Sequence, residues 1–219
     1  MKISKYLHSC LVFEQDGFKL LFDPGTFSFA EGIVTPDMFK EVDAVIITHI
    51  HPDHFDPENL KKVIELSGAK LYTNKQVAAE TEKLGLHAEV ISEGDLSVGP
   101  FNLKAISVIH EPLLDNPTPE MTAFVINEKV LHPVDSFEEK LLEHKGIELV
   151  ILPTMAPFCT ELKIADFADR LQPKRILPVH DGFAKEFFLN QRYENYARHS
   201  DAKGIKFINI KPIGETVDV

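Results

Sequence analysis

The chain has 219 residues, 44% of them hydrophobic and 26% charged, enough to bury a sizeable core in one large domain or two small ones. Its 23 Lys and Arg against 34 Asp and Glu give a net charge of -11, which argues against a nucleic-acid binder, because phosphate neutralisation needs basic surface. Only Cys10 and Cys159 occur, far apart, which rules against a disulfide scaffold and points to a reducing compartment.

The opening residues contain no signal-peptide apolar stretch, and no apolar run approaches membrane-spanning length, so a cytoplasmic protein with no membrane partner is expected. Residues 3–7, 11–13 and 18–22 read as short strands, with Gln15-Asp16-Gly17 as a hairpin turn. The third strand runs into Asp23-Pro24-Gly25, where Asp23 is suited to accept backbone hydrogen bonds in the turn. Phe27 and Phe29 follow in a loop, either as lids on the core or as walls of a pocket.

Residues 42–47 are apolar and rich in β-branched side chains, the pattern of a buried strand. The segment Thr48-His49-Ile50-His51-Pro52-Asp53-His54 follows, with Pro52 keeping it from continuing a ladder. Three imidazoles and a carboxylate are thus packed into a turn at a strand's carboxyl end, where ligands gather in α/β sheets. Without a cation such donors repel or desolvate one another, so the cluster indicates a metal site.

Residues 57–66 have helical character, with Pro57 suited to the first turn and Gly68 to the stop. A strand over residues 69–72 leads to a helix capped by Asn74 and ended by Gly85. This strand–helix alternation implies parallel pairing. Hairpin-like strands return at 96–98 and 101–109, then at 122–126 and 130–133. Asp135 or Ser136 is placed to cap a helix to His144. Then come a strand over 148–152, a helix over 161–171, a strand over 175–179, a mostly helical stretch over 182–199 and a last strand over 205–210. Each half moves from hairpins to alternating strands and helices, as expected of two face-to-face sheets with helices outside. We read one domain over residues 1–219.

Three further candidates stand at strand ends: His110 after residues 104–109, Asp135 after 129–134 and His180 after 175–179. Singly, each suits a turn or hydrogen-bonding role. Together they supply the imidazoles and bridging carboxylate that a two-metal site still lacks.

The order H-x-H-x-D-H, then His, Asp and His, each behind a strand, resembles the metallo-β-lactamase-fold hydrolase superfamily, and the early Asp23-Pro24 turn resembles its first motif. Tyr6-Leu7-His8-Ser9-Cys10 and the run from Leu171 through Pro178-Val179-His180-Asp181-Gly182 look like the branch containing L-ascorbate-6-phosphate lactonases. The resemblance implies an α/β fold, a four-layer αβ/βα sandwich of two mixed β-sheets with helices on the outer faces. It places one metal on His49, His51 and His110, a second on Asp53, His54 and His180, and Asp135 between them. Asp23 then orients ligands by hydrogen bonding. The implied cofactors are two divalent ions, with zinc expected and manganese or iron also compatible with the N/O donors. Two positions depart from the family pattern: Val134 and Leu7 stand where it usually has glycine.

Two adjacent cations lower the pKa of a shared water and polarise a carbonyl or phosphoryl oxygen, so the expected activity is hydrolysis of a small-molecule ester, lactone or phosphoester. Asp53 is the catalytic candidate, orienting the nucleophile or handling a proton. Residues 153–159 and Glu111 are candidates to line the pocket. His8 and His132 are either proton donors or structural histidines. The alternative is a non-hydrolytic metal protein, structural or di-iron redox. A homo-oligomer is left open.

Overall fold

The computed structural model of the chain describes residues 1–210 and 212–219. The first sheet contains β1 (Lys2–Lys5), β2 (Leu11–Gln15), β3 (Phe18–Phe22), β4 (Ala44–Ile47), β5 (Lys70–Thr73) and β6 (Ala88–Val90). The second contains β7 (Gly94–Val98), β8 (Phe101–Ile109), β9 (Glu120–Ile126), β10 (Val130–His132), β11 (Leu149–Pro153), β12 (Arg175–Val179) and β13 (Lys206–Phe207). A final strand, β14 (Thr216–Asp218), returns to pair antiparallel with β1 at the edge of the first sheet. The helices are α1 (Thr26–Phe29), α2 (Pro57–Ser67), α3 (Lys75–Lys83), α4 (Glu161–Leu171) and α5 (Glu186–Asp201).

Side-chain alternation along the strands explains the layers. Leu20, Phe22, Ala44 and Ile46 of the first sheet share a core with Phe124, Ile126, Leu149 and Ile151 of the second. Their neighbours Leu21, Val45 and Ile47 face the other way and pack with Leu60, Val63 and Val77 of α2 and α3. Val150, Leu152 and Ile176 likewise pack outward against Ile164, Phe167 and Leu171 of α4. Burial on both faces is why these strands read as unbroken apolar runs. The result is the four-layer sandwich of two mixed sheets.

The two sheets repeat one plan. Strands β1 to β3 are antiparallel and β3 to β6 parallel; β7 to β10 are antiparallel and β10 to β13 parallel. Asn74 joins the halves. Its Oδ1 accepts the Val77 N–H to cap α3, while its Nδ2 donates to the carbonyls of Thr48 and Glu120 at 3.0 and 2.9 Å. The carboxyl end of β4 is thereby tied to the second sheet one residue before His49.

Several expected elements differ. The helix expected from Asp135 or Ser136 to His144 is only a 3-10 segment, Glu139–His144. Residues 133–136 form a turn, with the Ser136 N–H on the Pro133 carbonyl, and the remainder is too short to sustain an α-helix. The last expected strand shrinks to Lys206–Phe207, and the helix expected from Gly182 begins at Glu186.

Candidate metal centre

All the candidates named from the sequence at strand ends sit at one edge of the sandwich. Asp23 follows β3, the 48–54 turn follows β4, His110 follows β8, Asp135 lies just beyond β10 and His180 follows β12. Four backbones here adopt left-handed φ without being glycine: His8 at 60°, Asp23 at 45°, Val134 at 56° and His180 at 70°. Such conformations cost about 1–3 kcal/mol each and cluster at functional sites. Val134 keeps the glycine-like backbone despite its β-branched side chain, so the departure from the family pattern leaves Asp135 aimed inward. Close approach explains Gly25, where an added Cβ would meet the Asp53 carbonyl oxygen at 2.0 Å.

The donors form two groups, His49, His51, His110 with Asp135 and His8, Asp53, His54 with His180, each with donor atoms within 4.8 Å of one another. Asp135 lies between them. Its Oδ2 is 3.5 Å from His49 Nε2, 3.2 Å from His54 Nε2 and 3.3 Å from His110 Nε2, and its Oδ1 is 3.6 Å from His180 Nε2. Asp53 Oδ2 is 3.1 Å from His180 Nε2 and 3.8 Å from His54 Nε2.

The outward nitrogens are held by the protein, which sets the tautomers. His54 Nδ1 donates to Asp23 Oδ2 at 2.8 Å, and His49 Nδ1 meets Thr48 Oγ1 at 3.1 Å. Thr48 donates its hydroxyl to Asp23 Oδ2 at 2.7 Å and its N–H to Oδ1 at 2.8 Å. Asp23 thus anchors two imidazoles through one carboxylate, a role sequence alone assigned only by resemblance. His110 Nδ1 bonds the Glu111 carbonyl and His180 Nδ1 the Met155 carbonyl. With Nδ1 engaged, each ring turns Nε2 inward. Among the described residues, His54 Nε2, His110 Nε2, His180 Nε2 and both Asp135 oxygens are buried without a hydrogen-bond partner. Orphaned donors of this kind, converging on one point, fit a divalent cation.

The electrostatics agree. Burial alone would raise the Asp135 carboxyl, but His180 and His54 hold it well below the usual carboxylate range. Burial also opposes ionisation of Asp53, yet His54 and His180, with the hydrogen bond from His8, lower its pKa. Burial pulls His180 down, and Asp135 and Asp53 raise it to about 9. The imidazoles here offset the carboxylate charge by taking up protons, which a bound cation displaces.

His8 has a different part. Its Nδ1 accepts the Gly182 N–H at 3.1 Å, leaving Nε2–H to donate to Asp53 Oδ2 at 3.1 Å. Burial lowers its pKa to about 4, so it is neutral and holds Asp53 in place. His132 is buried in β10 with its ring against Phe22, centroids 5.7 Å apart. Glu111 turns its carboxylate to Lys163. Of residues 153–159, Phe158 reaches the site, its ring 5.0 Å from that of His110 and 5.5 Å from that of His180. Phe27 stands 5.1 Å from His8. Phe183, not singled out from sequence, stands 6.0 Å from Phe27 and 6.1 Å from His180.

A family model described as a beta-lactamase superfamily domain matches residues 2–180. The Mycobacterium tuberculosis protein Rv0786c is 30% identical over 192 residues, covering 82% of this chain and 84% of that protein. A UPF0173 metal-dependent hydrolase of Pyrococcus abyssi is 22% identical over 191 residues, covering 80% and 83%. Among solved structures, Igni18, described as a metallo hydrolase of Ignicoccus hospitalis, superposes with a TM-score of 0.73 at 20% identity, covering 99% of this chain and 97% of that one.

Proposed function

The chain belongs to the beta-lactamase superfamily domain family and is a metal-dependent hydrolase, and we propose that it cleaves a small-molecule ester, lactone or phosphoester with two cations held by seven side chains. His49, His51 and His110 would hold one cation and Asp53, His54 and His180 the other, with Asp135 between the two groups. Zinc is the ion proposed, with manganese or iron accommodated by the same donors. The observation that carries this reading is the set of inward Nε2 and carboxylate atoms, buried and without partners among the described residues. The name of the Pyrococcus abyssi relative, a metal-dependent hydrolase, supports the same chemistry. Two free cysteines, Cys10 buried and Cys159 half-buried, support a cytoplasmic location.

Bound cations at such a site supply a water of lowered pKa and polarise the bond to be broken. The protein's own contribution is positional. Asp53 is less buried than Asp135, so it is the carboxylate accessible to an incoming water. With Oδ2 fixed by His8, the other oxygen of the carboxylate would orient that water and take a proton as the new bond to the acyl carbon or phosphorus forms. The proton then passes to the leaving oxygen as its bond breaks. Asp23, through Thr48 and His54, keeps the imidazoles from turning away during the cycle.

The experiment is to measure metal content and turnover together. Reconstituted protein is expected to hold two ions per chain. Asp135→Ala is expected to hold fewer and to lose at least about 100-fold in kcat, since it removes the shared ligand. Full occupancy and full turnover in that variant would show the assignment to be wrong.

A further inference from the structure

Two of the donors assigned to the second cation depend on one short backbone segment, residues 180–182. His180 is one of them, and its ring is weakly anchored: Nδ1 lies 3.4 Å from the Met155 carbonyl, against 2.8 Å from His54 Nδ1 to Asp23 Oδ2. Its direction is therefore set by its backbone, which is left-handed at φ 70° and keeps that conformation only where the surroundings hold it. Asp53 is the other, and it depends on the segment through His8. The His8 carbonyl accepts the His180 N–H at 3.2 Å and its Nδ1 accepts the Gly182 N–H at 3.1 Å, which leaves Nε2–H for Asp53. The segment passes so close that a Cβ on Gly182 would meet His8 Cβ at 2.9 Å. Displacing it would turn His180 and release the His8 ring together.

Asp181 holds that segment. Its Oδ2 accepts from Lys5 Nζ at the end of β1 and from the Tyr193 hydroxyl in α5, and Lys5 also donates to that hydroxyl at 3.3 Å. All three side chains are buried. Apolar residues could fill such a space at less cost, because desolvating an ion pair offsets much of its attraction. What the pair adds is direction: hydrogen bonds fix Asp181 relative to β1 and α5, whereas apolar contact is non-directional. The first group is anchored elsewhere. His49 Nδ1 meets Thr48 Oγ1, His110 Nδ1 the Glu111 carbonyl, and the Glu111 N–H the Asp135 carbonyl.

We propose that Lys5, Asp181 and Tyr193 are positioning residues for the second cation, setting its affinity through the backbone of residues 180–182 without contacting it. This rests on the two-cation reading above and goes beyond it, since it makes the second donor group, and not the first, depend on β1 and α5. Loosening the triad weakens cation binding by His180 and Asp53 and leaves His49, His51 and His110 as they were. The affinity lost is about tenfold, the lower end of what outer partners of metal ligands contribute.

The test isolates each donor group. His110→Ala leaves the second group intact, and His180→Ala leaves the first. Zinc affinity in each background is measured by competition with a chromophoric chelator: alone, with Tyr193→Phe, and with Lys5→Met and Asp181→Leu together. In the His110→Ala background the paired change is expected to weaken zinc about tenfold and Tyr193→Phe about threefold. In the His180→Ala background both should stay within about twofold, as for uncoupled sites. The paired change refills the space with apolar groups, so its urea midpoint stays near that of the parent while the second affinity remains weak. A purely structural role predicts instead that affinity returns with stability. Tyr193→Phe, which removes a single hydroxyl, carries the test if the paired variant does not fold. Nitrogen NMR of the metal-free chain adds a readout without zinc: the His8 proton sits on Nε2 in the parent and is shared between Nε2 and Nδ1 in either variant. Equal weakening in both backgrounds, unchanged second-group affinity, or recovery in the paired variant would overturn the inference and leave the hydrolase reading standing. Zinc binding absent from the parent would overturn the two-cation reading, and a His8 tautomer indifferent to the triad would then end the inference as well.

Discussion

His132 carries two buried ring nitrogens with no hydrogen-bond partner among the described residues. Removed from water and packed on Phe22, the ring resists protonation, and burial lowers its pKa from 6.5 to about 4. The unfolded chain takes up that proton near pH 6.5; the folded chain resists until about 4. Between those values the unfolded state binds more protons, so the contribution of His132 to stability is present in full above about pH 6.5 and lost as pH falls through about 4. The difference corresponds to about 3 kcal/mol. His132→Leu, apolar and of similar size, is therefore expected to unfold with a shallower loss of stability between pH 6.5 and 4. Urea denaturation of metal-free protein across that range checks it, and a slope unchanged from the parent would mean the ring has polar partners. From sequence, this histidine was either a proton donor or a structural histidine. Nothing local distinguishes a histidine on the inner side of a strand from one reaching the open edge, because three residues of β10 are too few to establish which face is buried.

At the scale of elements, the tie between β1, the His180 turn and α5 is the contact least visible in the chain. Lys5, the last residue of β1, donates to Asp181, which also accepts the Tyr193 hydroxyl from α5. Lys5 and Asp181 have side-chain exposures of only 1% and 5%. Asp181 also adjoins His180, and the next N–H, from Gly182, fixes the tautomer of His8. Removing one member of a buried pair strands the other, whereas replacing both by apolar groups costs little. Lys5→Met should therefore destabilise the protein by about 3–5 kcal/mol, and Lys5→Met with Asp181→Leu should recover most of that loss. Chemical denaturation of the two variants tests this; a single variant as stable as the parent would make the pair dispensable. Strands β4 and β12 were legible as largely apolar runs, which need no knowledge of partners, and β8 as an alternation of apolar and polar residues. The three-residue strands β6 and β14 were not, since they are short edges whose pairing comes from the neighbouring strand. The Asp135–His144 segment misled because its helix-like composition loses to the demand that Asp135 face the centre.

For the whole molecule, the halves with matching strand order bring their carboxyl ends to one edge, and that meeting creates the centre. Its candidate donors and their order along the chain were readable in advance, since each follows a strand. The aromatic rings beside it were less readable, because Phe183 comes beside His8 and His180 only when α5 is in place. Donors supplied from β4, β8, β10 and β12 exist as a site only in the folded chain, so cation binding is coupled to folding. Free zinc at about a thousand times its dissociation constant adds about 4 kcal/mol to stability. For a chain of this length each kcal/mol moves Tm by about 2–4 °C, so chelation should lower Tm by about 10 °C and zinc should restore it. Differential scanning calorimetry with and without chelator measures the change. In Asp135→Ala the shift should fall to about half or less, because Asp135 is the carboxylate between the two donor groups. A full shift in that variant would place the stabilising ion elsewhere on this acidic surface, where a net charge of -11 also attracts cations. The comparison between parent and variant therefore separates a centre built by the fold from adventitious binding by charge.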